Sequence, residues 1–126
     1  MKLFSLVALA AASAAVSLPV LPSVAQDGPG KVVRGDCSIT VGGKVYLDIK
    51  KTCRIDLQDD GSFQINLNSK TPTYFAYVSI LDGGFANVSW NGKSRAGHAH
   101  ELLGEDFRRQ GGCWVGKKGK VCAFKR

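Results

Sequence analysis

The sequence lacks the short motifs that identify common enzymes and metal sites. It has no H-E-x-x-H histidine pair and no serine in a G-x-S-x-G elbow. Gly42-Gly43 and Gly111-Gly112 lack the lysine and the spacing of a phosphate-binding loop, and 56–61 lacks the ligand order of a calcium loop. We therefore expect a protein that is not an enzyme and that holds no cofactor or metal.

An uninterrupted run of about 20 apolar residues, which a membrane-spanning helix needs, is also missing. The apolar segment at 3–16 is followed by Pro19 and Pro22, and small residues at 23–25 complete the pattern of a secretory signal peptide. We predict a signal peptide over 1–25. No cysteine lies near this cut, so we expect no lipid anchor there, and no twin-arginine pair is present. We expect a periplasmic or secreted protein without a transmembrane segment after cleavage.

Cysteine is scarce, but its count and spacing are informative. The four residues are Cys37, Cys53, Cys113 and Cys122. They contain no C-x2-C pair, the close spacing that is typical of zinc sites. An even number in an oxidising compartment predicts two disulfides, for which three connectivities are possible. The glycines and lysines of 114–121 suit a tight reversal, which favours Cys113–Cys122 and leaves Cys37–Cys53 as the other bond.

The pattern from Cys37 to Trp90 is typical of strands nearly throughout: apolar and polar residues alternate with period two, except at 74–81, which is apolar on both sides and predicts a central strand. Turn signals recur at Gly42-Gly43, at 59–61 and at 82–84. The sequence predicts a flexible leader over 26–36 and a single β-rich domain over 37–126. We expect an all-β or β-rich fold, built as a small antiparallel meander that packs as a sheet, sandwich or barrel.

One segment departs from this pattern. Ala99, Leu103 and Phe107 recur at helical spacing, which predicts a short helical segment near 97–108. A terminal hairpin over 113–124 is expected to follow it.

Positive charge is concentrated in the last third of the chain. Seven basic and seven acidic residues balance over 26–92, whereas nine basic residues face three acidic ones over 93–126. Trp114 follows Cys113, so if the sulfur points inward the indole lies among the lysines on the opposite face. The predicted exposed binding surface consists of Arg108, Arg109, Trp114, Lys117, Lys118 and Lys120. The alternative is a solvated basic surface that serves solubility.

These observations predict a small exported, non-catalytic binding protein, expected to be monomeric. Its partner would be anionic: an acidic protein surface in an inhibitor-like role, or an envelope glycan or lipid in an envelope-associated role. We do not expect nucleic acid. The alternative is a small secreted hydrolase, ribonuclease-like, that uses His98 and His100 as acid and base.

Overall fold

The computed structural model describes residues 30–67 and 72–126. The predicted signal peptide over 1–25 lies outside the described residues, as do the first four residues of the predicted leader.

Eight antiparallel strands follow one another along the chain and close into a barrel. Each strand pairs with its neighbours in sequence, and β1 also pairs with β8, a contact that we call the closing seam. The strands are β1 (Lys31–Val41), β2 (Lys44–Leu57), β3 (Phe63–Ile65), β4 (Ala76–Ile80), β5 (Phe85–Trp90), β6 (Glu101–Gln110), β7 (Cys113–Val115) and β8 (Gly119–Lys125). The predicted antiparallel β-rich fold is confirmed, and the barrel is the form it takes.

The first strand begins earlier than expected. β1 starts at Lys31, so most of the segment predicted as a flexible leader is part of the sheet. Lys31 pairs with Leu57 of β2, and from Gly35 onward β1 also pairs with β8. Pairing with β2 along the segment, and with β8 from Gly35 onward, therefore orders a segment whose composition resembles a leader.

The prediction of a helical segment near 97–108 is wrong. Residues Glu101–Gln110 form β6, and the single helical element of the described residues is a 3-10 turn at Asp82–Gly84. Leu103 and Phe107 are both buried in the barrel interior. A spacing of four residues fits a period of two as well as a helical turn, so this pattern does not separate the two structures.

Both disulfides form as predicted. Cys37–Cys53 joins β1 to β2 inside the barrel, where each cysteine is 1% exposed and belongs to the hydrophobic core. Cys113–Cys122 joins β7 to β8 at directly paired positions, and neither of its cysteines is part of the core cluster. One bond thus lies inside the barrel wall and the other on its outer face.

An aromatic cluster closes one end of the barrel. The ring centroids of Tyr46, Tyr74 and Trp90 lie 4.8–5.5 Å apart. Beside the cluster, the buried Asn91 side chain donates hydrogen bonds to three backbone carbonyls and accepts one from the Phe75 N–H. We call this the plugged end, because its loops are bound to one another and its interior is filled.

No helix long and apolar enough to cross a membrane occurs within 30–67 and 72–126.

Candidate binding site at the open end of the barrel

The end of the barrel opposite the aromatic cluster is open and contains a cavity of about 660 Å³. Pockets for small molecules typically have volumes of about 300–1,000 Å³ and a mainly apolar lining. We call this cavity and its rim the barrel mouth. Its apolar lining residues are Val33, Ile55, Leu57, Phe63, Ile80, Trp114 and Ala123, and its charged lining residues are Asp60, Arg109 and Lys125.

Strand register places an arginine on the interior face of this mouth. Arg109 of β6 pairs with Trp114 of β7, which in turn pairs with Val121 of β8. Directly paired residues of adjacent strands point to the same face of a sheet. Trp114 and Val121 are buried members of the core, so Arg109 points inward at the level where the barrel opens.

A second cation reaches the mouth from β8. Alternation along this strand directs Val121, Ala123 and Lys125 to one face, and the last two line the cavity. Lys125 pairs with Gly35 of the closing seam. The mouth therefore carries two positive groups on its inner face, on neighbouring parts of the wall.

The two cations are not neutralised by nearby carboxylates. Arg109 donates a hydrogen bond from Nε to the Gly111 carbonyl at 3.0 Å. Within the described residues, neither Arg109 nor Lys125 takes part in an ion pair. Both are therefore free to attract an anion that enters the cavity.

Asp60 is the acidic group of the rim. Its Oδ1 accepts the backbone N–H of Ser62 at 2.8 Å. This backbone hydrogen bond, followed by one with the Ser62 side chain, lowers the pKa of Asp60 below its ordinary value. Asp60 is thus a carboxylate that would repel an anion placed on its side, which favours the side of Arg109 and Lys125.

The structure separates the six residues predicted to form one basic surface. Arg109 and Trp114 meet in the mouth. Arg108 points outward, where its guanidinium lies 4.2 Å from the ring centroid of Phe85. Lys117 and Lys118 line a groove on the outer wall with a volume of about 610 Å³, which we call the outer groove.

Lys120 is also on the outer wall, exposed and paired with Thr40 and Val115. In the outer groove, Asp106 accepts the backbone N–H of Lys117 at 3.1 Å, and Leu102 is 53% exposed. The cations of the last third of the chain are thus divided between the inner face of the mouth and the outer wall.

The prediction that Trp114 forms an exposed aromatic rim is wrong. Its side chain is only 8% exposed and belongs to the core. The expectation assumed that the sulfur of Cys113 points inward, whereas the Cys113–Cys122 bond lies on the outer face and the indole takes the interior position. The strand alternates as expected, but in the opposite phase.

The two histidines come together away from the mouth. The ring centroids of His98 and His100 lie 5.2 Å apart in an edge-to-face arrangement. Both residues are exposed and lie in the β5–β6 loop at the plugged end, and neither lines the mouth or the outer groove. Across 30–67 and 72–126 there is no group of three or more histidine, cysteine or acidic residues that could hold a metal ion.

Sequence reasoning missed most of the cavity. Lys125 was recognisable in principle, because it continues the alternation of Val121 and Ala123 on β8. For Asp60, the sequence pattern indicated only a turn. The apolar lining residues were predicted only as core positions. A sequence pattern identifies the residues that face inward, but it does not show whether the space between them is filled by side chains or forms a cavity.

Comparison with known proteins identifies no relative of this chain: no family model, no curated protein and no solved structure matches it.

Proposed function

We propose that this chain is a small exported, non-catalytic binding protein that holds an anionic ligand in the barrel mouth. The proposal rests on the presence of Arg109 and Lys125 in a mainly apolar cavity whose one acidic lining residue is Asp60, with no ion pair to either cation among the residues described. Two cations beside a large apolar surface form a site that complements a ligand with both anionic and apolar parts.

The scaffold supports a binding role. A closed barrel with two disulfides is held in shape before any ligand arrives, and a preformed site loses less conformational entropy on binding. Both cysteine pairs are consistent with folding in an oxidising compartment, as the proposed export requires.

Of the two roles considered from the sequence, the mouth favours the envelope-associated one. An inhibitor-like protein needs a surface that contacts another protein over a wide area, roughly 800 Å² per partner. The feature the barrel offers instead is a concave, largely apolar cavity. The hydrolase alternative has no comparable support, because His98 and His100 lie outside this cavity.

A fluorescent anion tests the proposed function directly. Anilinonaphthalene sulfonate combines an apolar aromatic body with one sulfonate, and its emission rises in apolar surroundings. We expect saturable binding at one site, weakened about tenfold in an Arg109→Gln/Lys125→Gln variant, since both cations are exposed and each such charge contact contributes up to about 1 kcal/mol.

The matched control is an Arg108→Gln/Lys120→Gln variant, which removes the same net charge from the same two strands but on the outer face. Its affinity for the probe should equal that of the unaltered protein. Equal weakening in both variants would show that net charge alone attracts the probe. That result, or the absence of saturable binding, would contradict the proposed function.

A further inference from the structure

We propose that the ligand of the barrel mouth is a single-chain anionic amphiphile, such as a free fatty acid, taken up as a monomer from solution. Its hydrocarbon chain would enter the cavity, and its anionic head would lie beside Arg109 and Lys125. This inference rests on the proposed function and specifies the chemical class of its ligand.

The interior of the cavity suits a hydrocarbon chain. Ile55, Phe63 and Trp114 are each less than 10% exposed, and their apolar side chains line the cavity. A hydrocarbon chain has no polar atoms to desolvate, so it can fill such a space without leaving hydrogen-bonding groups unpaired. Each buried methylene then contributes to the affinity.

The positions of Arg109 and Lys125 suit the anionic head group of such a ligand. Lys125 is the last residue of β8, and Arg109 is the penultimate residue of β6, so both lie at the open end of their strands. Along its own strand, each cation lies two residues nearer the open end than an inward-facing apolar residue, Phe107 on β6 and Ala123 on β8. The head of an amphiphile is attached at one end of its chain, so the head can contact these cations while the chain contacts the apolar lining.

Other anionic ligands match the cavity less well. A glycan would bring hydroxyl groups, and a peptide segment would bring backbone amides, into a lining made mainly of hydrocarbon and aromatic groups. Buried polar groups without partners cost free energy. A single apolar side chain from a partner protein would avoid that cost but would occupy only part of the cavity volume.

Calorimetric titration with octanoate, decanoate and dodecanoate, each below its micelle concentration, tests how the affinity depends on the length of the hydrocarbon chain. With about 0.8 kcal/mol per buried methylene, the affinity should rise roughly fourfold per methylene until the cavity is full. An Ala123→Leu variant, which adds volume to the lining, should lower the affinity and shorten the preferred chain. Its thermal unfolding transition, recorded in parallel, confirms that the barrel has folded.

Comparison with an uncharged ligand tests the contribution of the anionic head group to the affinity. Decanoate should bind about tenfold more tightly than decanol, and Arg109→Gln/Lys125→Gln should remove that difference. The Arg108→Gln/Lys120→Gln variant should keep it, because its two changes lie on the outer wall.

The outcomes separate this inference from the proposed function. Suppose that anilinonaphthalene sulfonate binds in an Arg109- and Lys125-dependent manner while the affinity for fatty acids does not depend on chain length. The proposed amphiphile ligand would then be wrong, and the proposed anion-binding function of the mouth would be retained. Binding to phosphatidylglycerol vesicles without binding of monomeric decanoate would also overturn the proposed amphiphile ligand, because the ligand would then be a membrane surface. Failure of both probes would overturn both proposals.

Discussion

Asp36 is the carboxylate most firmly held by its neighbours at the closing seam. Its Oδ1 accepts the Lys51 N–H at 2.8 Å, and its Oδ2 accepts the Arg126 guanidinium at 2.9 Å. The hydrogen bond from Arg126, and then that from the Lys51 backbone, lower the pKa of Asp36. The backbone N–H of Arg126 also donates a hydrogen bond to the Arg34 carbonyl. Together these contacts link β1, β2 and the residue that follows β8.

The effect of Asp36 on stability should depend on pH in a defined direction. Because its pKa is lower in the folded than in the unfolded state, its stabilising contribution is complete above the unfolded-state pKa of about 3.9 and disappears as pH falls through the folded-state pKa. Asp36→Asn should therefore lower the melting temperature at neutral pH and have a much smaller effect in strong acid. Thermal unfolding across that pH range measures it.

Asp48 provides the control for this prediction. It pairs with Lys50 at 3.2 Å, but both side chains are more than half exposed. Asp48→Asn should leave the melting temperature nearly unchanged at every pH, because exposed ion pairs contribute little. An effect of Asp36→Asn that persists undiminished in acid would show that the carboxylate charge is not the source of its contribution.

At the scale of the strands, Gly35 marks the tightest point of the closing seam. A Cβ at this position would collide with the backbone carbonyl of Phe124 on β8, and a backbone atom cannot move aside as a side chain can. Gly35→Ala should therefore destabilise the barrel by about 1–3 kcal/mol, the usual cost of overpacking. Urea unfolding measures the difference.

Gly97→Ala is the matched change in an open position. A Cβ there would meet nothing within 4 Å, so its effect should stay within about 0.5 kcal/mol. If both variants unfold at the same urea concentration, the close approach of β1 and β8 at Gly35 is not a determinant of stability.

The two disulfides should contribute unequally. Cys37–Cys53 spans 16 residues and Cys113–Cys122 spans 9, which correspond to about 3 and about 2.5 kcal/mol of unfolded-state entropy. Replacing the first pair with alanine also leaves a gap in the core, whereas the second pair lies on the outer face. Urea unfolding should show the larger loss for Cys37→Ala/Cys53→Ala. A larger loss for the outer pair would contradict this ranking.

The strands that the sequence predicted are those whose side chains alternate without interruption. β5 and the part of β2 from Cys53 to Leu57 show this pattern, and their turns carry glycine or aspartate, so local rules suffice there. β6 was missed because register shifts opposite Ala86, Val88 and Ser89 break its alternation and Gly104 interrupts its apolar residues. Its strand conformation is fixed by pairing with β5 and β7, which no local pattern reveals.

At the scale of the whole molecule, barrel closure determines the candidate site and could not be predicted. The closing seam joins the first strand to the last, a contact between residues about 90 positions apart in sequence, such as Asp36 and Arg126. Arg109 and Trp114 were expected to be neighbours on the surface, but the phase of β7 turns the indole into the barrel, and the exposed Arg109 lies beside it at the mouth. The basic residues around them were divided between two faces for the same reason.

Closure also makes the two ends of the molecule different. One end is filled by Tyr46, Tyr74 and Trp90 and bound together by Asn91, and the other contains the cavity of the barrel mouth. A ligand that enters the barrel should therefore affect one end only. The binding site is therefore expected at the open end.

Amide-correlation NMR during titration with decanoate locates the bound ligand on the barrel. We expect shifts at the residues of the mouth, with Ile55, Arg109, Trp114 and Ala123 among the largest, and little change in the loop that carries His98 and His100. Shifts confined to that loop or to the outer groove at Lys117 and Lys118, or no shifts at the mouth when the ligand is in excess, would contradict a binding site at the open end.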